Sequence, residues 1–129
     1  MNPDPESLRR LATRIQLEIF CGGKLELIDQ LYEPALRERV TLLVRTIRNA
    51  FPDLQMQIEH IIVEGNKVAC RWLAAGTQRD WFYNIPPTEA QCTWSGTSVY
   101  VVNEDGVIGS MTSNWDLFGL LQQLRAALR

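Results

Sequence analysis

The sequence from Gly76 to Val102 reads GTQRDWFYNIPPTEAQCTWSGTSVYVV. Its proline pair, residues 86–87, cannot continue a helix or a central strand, because proline lacks the backbone N–H donor and its ring fixes φ. Runs rich in β-forming residues lie on either side of the prolines, and an aromatic triplet, residues 81–83, follows the first run. The stretch therefore predicts two strands joined by a shaped loop that holds much of the aromatic content of the chain.

Four strands are predicted from the alternation of apolar and polar residues around this loop. They cover, in order, residues 55–63, 67–77, 93–103 and 107–115. Turn signals at 65–66 and 104–106 join the first two strands and the last two. In the first strand, the apolar run 61–63 interrupts the alternation, which predicts either a β-bulge near His60 or burial on both faces.

Helical spacing accounts for the remainder of the chain. Asp4 and Pro5 begin the first helix, because aspartate is a preferred N-cap and proline fits the first helical position. The glycine pair at 22–23 ends it. Two more helices are predicted over residues 25–31 and from Pro34 onward, and a last helix follows Asp116.

The order of elements, three helices followed by four antiparallel strands and a last helix, predicts an α+β fold. The three N-terminal helices are expected to pack on one face of a curved antiparallel sheet. The chain has 129 residues, 46% of them apolar, which is enough for a single domain over residues 1–129. A curved sheet with helices on one face forms a half-cone. Such a half-cone leaves a pocket between the sheet and the helices, which is a usual place for a small-molecule site.

Composition and charge exclude several classes of function. The formal net charge of −2 and the pI of about 5.4 argue against a nucleic-acid surface, which is usually basic. A single histidine, His60, excludes a metal site built from several histidines. The N-terminus lacks the apolar core of a signal peptide, and no apolar run is long enough to span a membrane. No metal, nucleic acid or membrane partner is therefore expected.

The cysteines indicate the compartment. Cys21, Cys70 and Cys92 are an odd number without paired spacing, so no disulfide framework is implied. A reducing cytoplasm is the simpler interpretation. Cys70 and Cys92 lie in strand-like runs and are expected to be buried small apolar residues.

Seven short motifs occur in an order that resembles a known family. They are FPDL (51–54), EGNKV (64–68), RW (71–72), GT (76–77), IPPT (85–88), WSG (94–96) and WDLFGLLQQL (115–124). In order and spacing they are similar to the motifs of SnoaL-like polyketide and ester cyclases, which belong to the NTF2-like superfamily. The resemblance covers the chain from residue 51 to the end, and IPPT, WSG and the last helix are its most specific parts.

This resemblance implies a cone-shaped α+β barrel with an apolar cavity, forming a homodimer. Cyclases of this family close a ring by an intramolecular aldol reaction, with an acid–base aspartate on the last strand, a histidine on the strand before it, and no metal or organic cofactor. Here these positions correspond to Ser113 and Tyr100, and a histidine that many relatives carry after GT corresponds to Gln78. Serine has no useful proton affinity near neutral pH, so the chemistry of the family does not transfer.

The candidates for catalysis are the two residues at these positions, Tyr100 and Ser113, and the nearby Asp116. Asp116 is the carboxylate nearest to the last strand, but its position also suits the N-cap of the last helix. Tyr100 and Ser113 either orient a carbonyl group by hydrogen bonds or pack in a filled core. Arg71 is expected to pair with Glu59 on the adjacent strand, as a structural contact.

Candidate ligand-binding residues are mostly aromatic. They are Trp72, Trp94, Tyr100, Met111 and Ser113 on the strands, and Trp81 and Phe82 in the loop. The strand residues form either a pocket wall or the hydrophobic core. The loop aromatics are expected to be exposed, which indicates a lid over the pocket or a dimer contact.

Three functions are consistent with this pattern. The first is a cavity protein that binds a small apolar or carbonyl-containing molecule, related to the cyclases but without their acid–base pair. The second is an active cyclase or isomerase that uses a different carboxylate. The third is a non-catalytic dimeric scaffold or partner-binding module whose pocket is filled by Trp72, Trp94 and Met111. The cavity volume separates the third function from the others, and a carboxylate in the lining would favour an enzyme.

Overall fold

The structure, a computed structural model, describes residues 3–128. Within them, four α-helices and four strands follow the predicted order. The helices are α1 (Pro5–Arg14), α2 (Glu26–Leu31), α3 (Pro34–Ala50) and α4 (Leu117–Ala127), and a π-helical segment (Ile15–Cys21) continues α1. The strands are β1 (Gln55–Glu64), β2 (Lys67–Thr77), β3 (Gln91–Val102) and β4 (Ile108–Trp115). None of these helices is long and apolar enough to cross a membrane.

The strands form one antiparallel meander in the order β1-β2-β3-β4. The predicted bulge is confirmed in β1: Ile58 pairs with Trp72, and the next paired residue is His60, which lies opposite Arg71. The extra residue between them, Glu59, accepts a hydrogen bond of 3.2 Å from the Arg71 side chain, as predicted. These two side chains are 41% and 37% exposed, so the pair is a surface contact.

The helices pack on one face of the sheet and share a core with it. The sheet contributes alternate residues to this core, among them Val68 and Cys70 in β2 and Cys92 in β3. On the helix side, Ile15 and Val44 are completely buried. The arrangement confirms the α+β fold predicted from the sequence, and both strand cysteines are buried as expected. Burial raises the pKa of the Cys70 thiol to about 11.

The FPDL and GT motifs hold the end of α3 against the end of β2. Asp53 Oδ1 accepts a hydrogen bond of 2.7 Å from the backbone N–H of Thr77, and this bond is the main reason that the pKa of Asp53 lies below its ordinary value. Gly76 has little room for a side chain, because a Cβ atom there would lie 3.0 Å from Phe51 Cβ. Both motifs are therefore structural, and the loop after Thr77 starts from a fixed position.

The last helix, α4, is tied to the edge of β3. Asp116 caps it by accepting a hydrogen bond of 2.9 Å from the Gly119 N–H, which is the capping role suggested by its position in the sequence. The Gln123 amide pairs with both backbone groups of Thr93, donating to the carbonyl at 2.7 Å and accepting from the N–H at 2.9 Å. The pairing of β3 with β4 begins at Gly96, so Thr93 lies outside it. The two bonds from Gln123 give the backbone N–H and carbonyl of Thr93 the partners that β4 does not supply.

Candidate ligand cavity

The loop between β2 and β3 is organised by one buried side chain, Gln78. Its Nε2 atom donates to the backbone carbonyls of Asp80 and Ile85 at 3.2 and 3.1 Å. Its Oε1 atom accepts from the backbone N–H and the hydroxyl of Thr88 at 3.0 and 2.7 Å. The hydrogen-bonding capacity of the amide is thus used within the loop. Gln78, at the position where the resemblance places a histidine, has a structural role in this chain.

The aromatic triplet of this loop is only partly exposed. Phe82 is completely buried and packs edge-to-face against Phe51, with ring centroids 5.6 Å apart. The prediction that Phe82 is exposed is therefore wrong, because the loop folds back onto the end of α3, where the Arg79 N–H donates to the Ala50 carbonyl. Trp81 is 58% exposed, and neither it nor Phe82 lines the cavity between the sheet and the helices.

A cavity lies between the inner face of the sheet and the helices. Three indoles form much of its wall: Trp72 from β2, Trp94 from β3 and Trp115 from β4. The remaining apolar lining comes from both the helices and the sheet side, and consists of Phe20, Leu43, Ile47, Leu54, Met56 and Ala74. Most of the surface that a ligand would meet here is therefore aromatic or aliphatic carbon.

The polar part of the lining is built on hydrogen bonds between side chains. Three polar residues contribute to it: Gln16, Ser98 and Ser113. The Trp72 Nε1–H donates to Ser98 Oγ at 3.1 Å, and the hydroxyl oxygens of Ser98 and Ser113 lie 2.8 Å apart. The serines meet because they lie directly opposite each other in the register of β3 and β4. No acidic, basic or histidine side chain among residues 3–128 lines this cavity.

Tyr100 lies behind this lining. Its side chain is fully buried, and Gln16 Nε2 donates a hydrogen bond of 2.7 Å to its hydroxyl oxygen. Burial raises the pKa of Tyr100 well above its ordinary value, and the nearby Tyr32 hydroxyl raises it further. Tyr100 is therefore a neutral hydrogen-bonding group near pH 7 and is poorly suited to act as a general base.

Two other candidates also lie outside the cavity. Asp116 is exposed and caps α4, so this carboxylate does not reach the lining. Met111 is half-buried, and its sulfur accepts a hydrogen bond of 3.6 Å from the Tyr32 hydroxyl. The residues proposed for ligand binding that do line the cavity are Trp72, Trp94 and Ser113.

The cavity is small in this structure. Its free volume is about 30 Å³, whereas pockets for drug-sized ligands measure roughly 300–1,000 Å³. Side chains of the protein therefore fill most of the cone. Trp72 and Trp94 contribute to this filling as the sequence suggested, whereas the third large side chain in the lining is Trp115 and not Met111.

The sequence profile of the SnoaL-like polyketide cyclases matches residues 32–124. The chain belongs to this family. The resemblance seen in its motifs is thereby confirmed, and so is the NTF2-like fold of this SnoaL-like protein. The comparison with curated proteins gives no match.

Solved structures with the same fold cover almost the whole SnoaL-like chain. A candidate polyketide cyclase from Acidithiobacillus ferrooxidans is 24% identical, with a TM-score of 0.82 over 97% of this chain and 99% of the other. A candidate SnoaL-like polyketide cyclase from Jannaschia sp. CCS1 is 17% identical, with a TM-score of 0.87 over 98% of each chain. TsrD from Streptomyces laurentii is 22% identical, with a TM-score of 0.84 over 96% and 98%. At these identities the similarity establishes the fold.

The WSG motif of this SnoaL-like protein makes room for two of the cavity indoles. A Cβ atom on Gly96 would overlap the Trp72 ring and would lie 2.6 Å from Trp115 Cβ. The glycine therefore lets the Trp72 side chain lie across β3 beside Trp115. The motif is a structural requirement of the cavity wall.

Gln16 and Trp115 line the cavity, although the sequence pattern did not mark them as ligand-binding residues. Gln16 lies four residues after Ala12 and eight after Leu8, so a polar residue occupies the apolar stripe of its helix. That departure is the available signal, because a buried amide needs hydrogen-bond partners. Trp115 lies two residues after Ser113, which places both on the same face of β4.

Proposed function

We propose that this SnoaL-like protein binds a small, uncharged, largely apolar molecule in the cavity, and that it does so without the acid–base chemistry of the family. The observation that carries the proposal is the lining, which has three indoles and no acidic, basic or histidine side chain from residues 3–128. Indole faces offer broad apolar surfaces that favour flat rings.

The uncharged lining selects against charged ligands. Moving a carboxylate or an ammonium group from water into an apolar cavity costs several kcal/mol unless a partner of opposite charge meets it. The polar groups on offer are the hydroxyls of Ser98 and Ser113 and the amide of Gln16. These groups do not gain or lose protons near neutral pH, so they are suited to position a ligand and not to act as a general base.

Entry of a ligand requires side chains to move, because the free volume is about 30 Å³. Met56 and Leu43 are the candidates for this movement, since both line the cavity and both are only partly buried. Methionine is unbranched and has three rotatable bonds, so it vacates space readily. The proposed entrance lies between Met56 on β1 and Leu43 on α3.

Benzene is a suitable probe, with tryptophan fluorescence as the readout. Trp81 is 58% exposed in the loop, so a Trp81→Phe variant leaves the cavity indoles to report binding. Benzene is expected to change the fluorescence of this variant saturably. Adding Met56→Ala is expected to tighten binding about tenfold, because the side chain no longer has to be displaced. Gln57→Ala, on the opposite face of β1, is the matched control and is expected to leave the affinity unchanged.

The small free volume of about 30 Å³ also favours a second candidate, a SnoaL-like scaffold without a ligand. The two candidates differ in the benzene experiment. If the cone is a filled scaffold, the Trp81→Phe protein does not bind benzene, and binding occurs only in the artificial cavity left by Met56→Ala. That result would contradict the proposed ligand site.

We propose in addition that the sheet face left uncovered by the helices joins two copies of the chain. Ile62, Ala69 and Val99 lie side by side there in the strand register, and Ile62 and Val99 are 66% and 36% exposed. Exposed apolar patches commonly mark interfaces. Light scattering is expected to give the mass of a dimer for the wild type and of a monomer for Val99→Lys. A monomeric wild-type protein would contradict this proposal.

A further inference from the structure

We infer that the molecule held in this cavity carries a hydroxyl group, and that Gln16 and Ser113 recognise it. This rests on the proposed function, since it names the polar group of the same ligand. Both side chains line the cavity, and each has hydrogen-bonding capacity left after its protein partners are counted.

Gln16 supplies an acceptor. Its side chain is 1% exposed, and its Nε2 atom donates to Tyr100 Oη at 2.7 Å. No donor within residues 3–128 bonds to Gln16 Oε1, although every fully sealed side-chain oxygen or nitrogen in that part of the chain has a partner. The Oε1 atom is therefore not sealed by protein atoms, and because Gln16 lines the cavity, we place this oxygen at its free space. A ligand without a donor would cover this oxygen and leave it unpaired.

The π-helical segment holds this amide against the core. Four of the seven residues of Ile15–Cys21 are buried, and Gln16 is the one polar side chain among those four. Segments of π-helix within α-helices are frequent at functional sites. Gln16 thus has two features of a binding residue. It lies in a π-helical segment, and its acceptor atom has no hydrogen-bond partner within residues 3–128.

Ser113 supplies the second contact. Ser98 Oγ accepts from the Trp72 Nε1–H at 3.1 Å and lies 2.8 Å from Ser113 Oγ. When Ser98 donates within the serine pair, the Ser113 hydroxyl proton is free for a ligand. When Ser113 donates, its oxygen remains free to accept. The Ser113 hydroxyl can therefore either donate a hydrogen bond to a ligand or accept one from it.

A hydroxyl group is the ligand chemistry that matches both contacts. It donates its proton to Gln16 Oε1, and its oxygen accepts from Ser113. A carbonyl group only accepts, so it leaves Gln16 Oε1 unpaired. A carboxylate would bring a negative charge to that oxygen with no cation in the lining. Together with the indole walls, these contacts favour a hydroxyl on a flat apolar ring, as in a phenol.

Phenol and benzene form the test pair, because they differ by the hydroxyl group alone. In the Trp81→Phe protein, phenol is expected to bind about tenfold more tightly than benzene, the effect of one net hydrogen bond. Gln16→Leu and Ser113→Ala, each made in that background, are expected to remove the preference for phenol, and benzene binding is measured beside it in each variant. Thr112→Ala removes an exposed hydroxyl from the other face of β4 and is expected to keep the preference.

The outcomes separate this inference from the proposed function. Equal binding of phenol and benzene overturns the hydroxyl assignment and leaves the cavity as a binding site. A preference for phenol that persists in both Gln16→Leu and Ser113→Ala overturns the assignment to these residues. Binding of neither probe overturns the inference together with the proposed function. Retained benzene binding in each variant shows that the cavity is intact, so a lost preference is not a folding defect.

Discussion

Replacing Gly96 with alanine is expected to lower the free energy of unfolding by roughly 3 kcal/mol. The added Cβ atom would overlap the Trp72 ring and lie 2.6 Å from Trp115 Cβ, so two indoles of the cavity wall must shift together. Urea unfolding followed by circular dichroism measures the change. Ser95→Ala, one residue earlier and on the opposite face of β3, is the control and is expected to change stability by less than ~0.5 kcal/mol.

A double-mutant cycle tests the steric reason for this loss. The atoms of Trp72 that the new Cβ would meet are Cζ2 and Cη2, which belong to the outer ring of the indole. Phenylalanine lacks that ring, so Gly96→Ala is expected to cost about 1 kcal/mol less in a Trp72→Phe background. Equal losses in the two backgrounds would show that the Trp72 ring is not the obstacle.

Replacing Gln78 with leucine is expected to cost roughly 3 kcal/mol and to release the loop between β2 and β3. The change removes four hydrogen bonds, which end on Asp80, Ile85 and Thr88. In the variant, the carbonyls of Asp80 and Ile85 and the N–H of Thr88 lack the partner that the amide provides in the wild type. The loop that holds Phe82 in the core is then no longer fixed. Urea unfolding measures the loss of stability, and limited trypsin digestion measures the release of the loop.

The expected digestion result is rapid cleavage after Arg79 in Gln78→Leu and slow cleavage in the wild type. Gln91→Leu is the matched control, because the Gln91 side chain is exposed at the start of β3. A loop that stays as resistant in Gln78→Leu as in this control would mean that the buried amide does not fix its conformation.

Much of the fold depends on local patterns, and those were predictable. Alternation identified the strands, and its interruption near His60 predicted either the observed bulge or burial on both faces. The position of Asp116 before the last helix suited the observed cap as well as a catalytic carboxylate. The π-helical segment was not predictable, because apolar residues recur at helical spacing on both sides of Arg14, from Leu8 and Leu11 to Ile15 and Ile19. The predicted single helix is instead an α-helix to Arg14 followed by a π-helix to Cys21.

The site was harder to predict because it depends on contacts between distant parts of the chain. Trp81 and Phe82 are adjacent, yet one is exposed and the other buried, since the loop turns over the end of α3. Alternation placed Trp72 and Trp94 on the correct face of the sheet. Whether such rings line a cavity or fill it depends on how closely the core packs, and a single sequence does not give that.

The central claim is that the cone of this SnoaL-like protein is a binding site for a small uncharged molecule. A crystal structure of the wild-type protein grown in the presence of phenol tests it most directly. We predict the phenol ring against Trp72 and Trp94, its oxygen within hydrogen-bond distance of Gln16 Oε1 and Ser113 Oγ, and Met56 turned out of the cavity. Phenol bound only on the outer surface, with the indoles and Met56 unmoved, would contradict the claim.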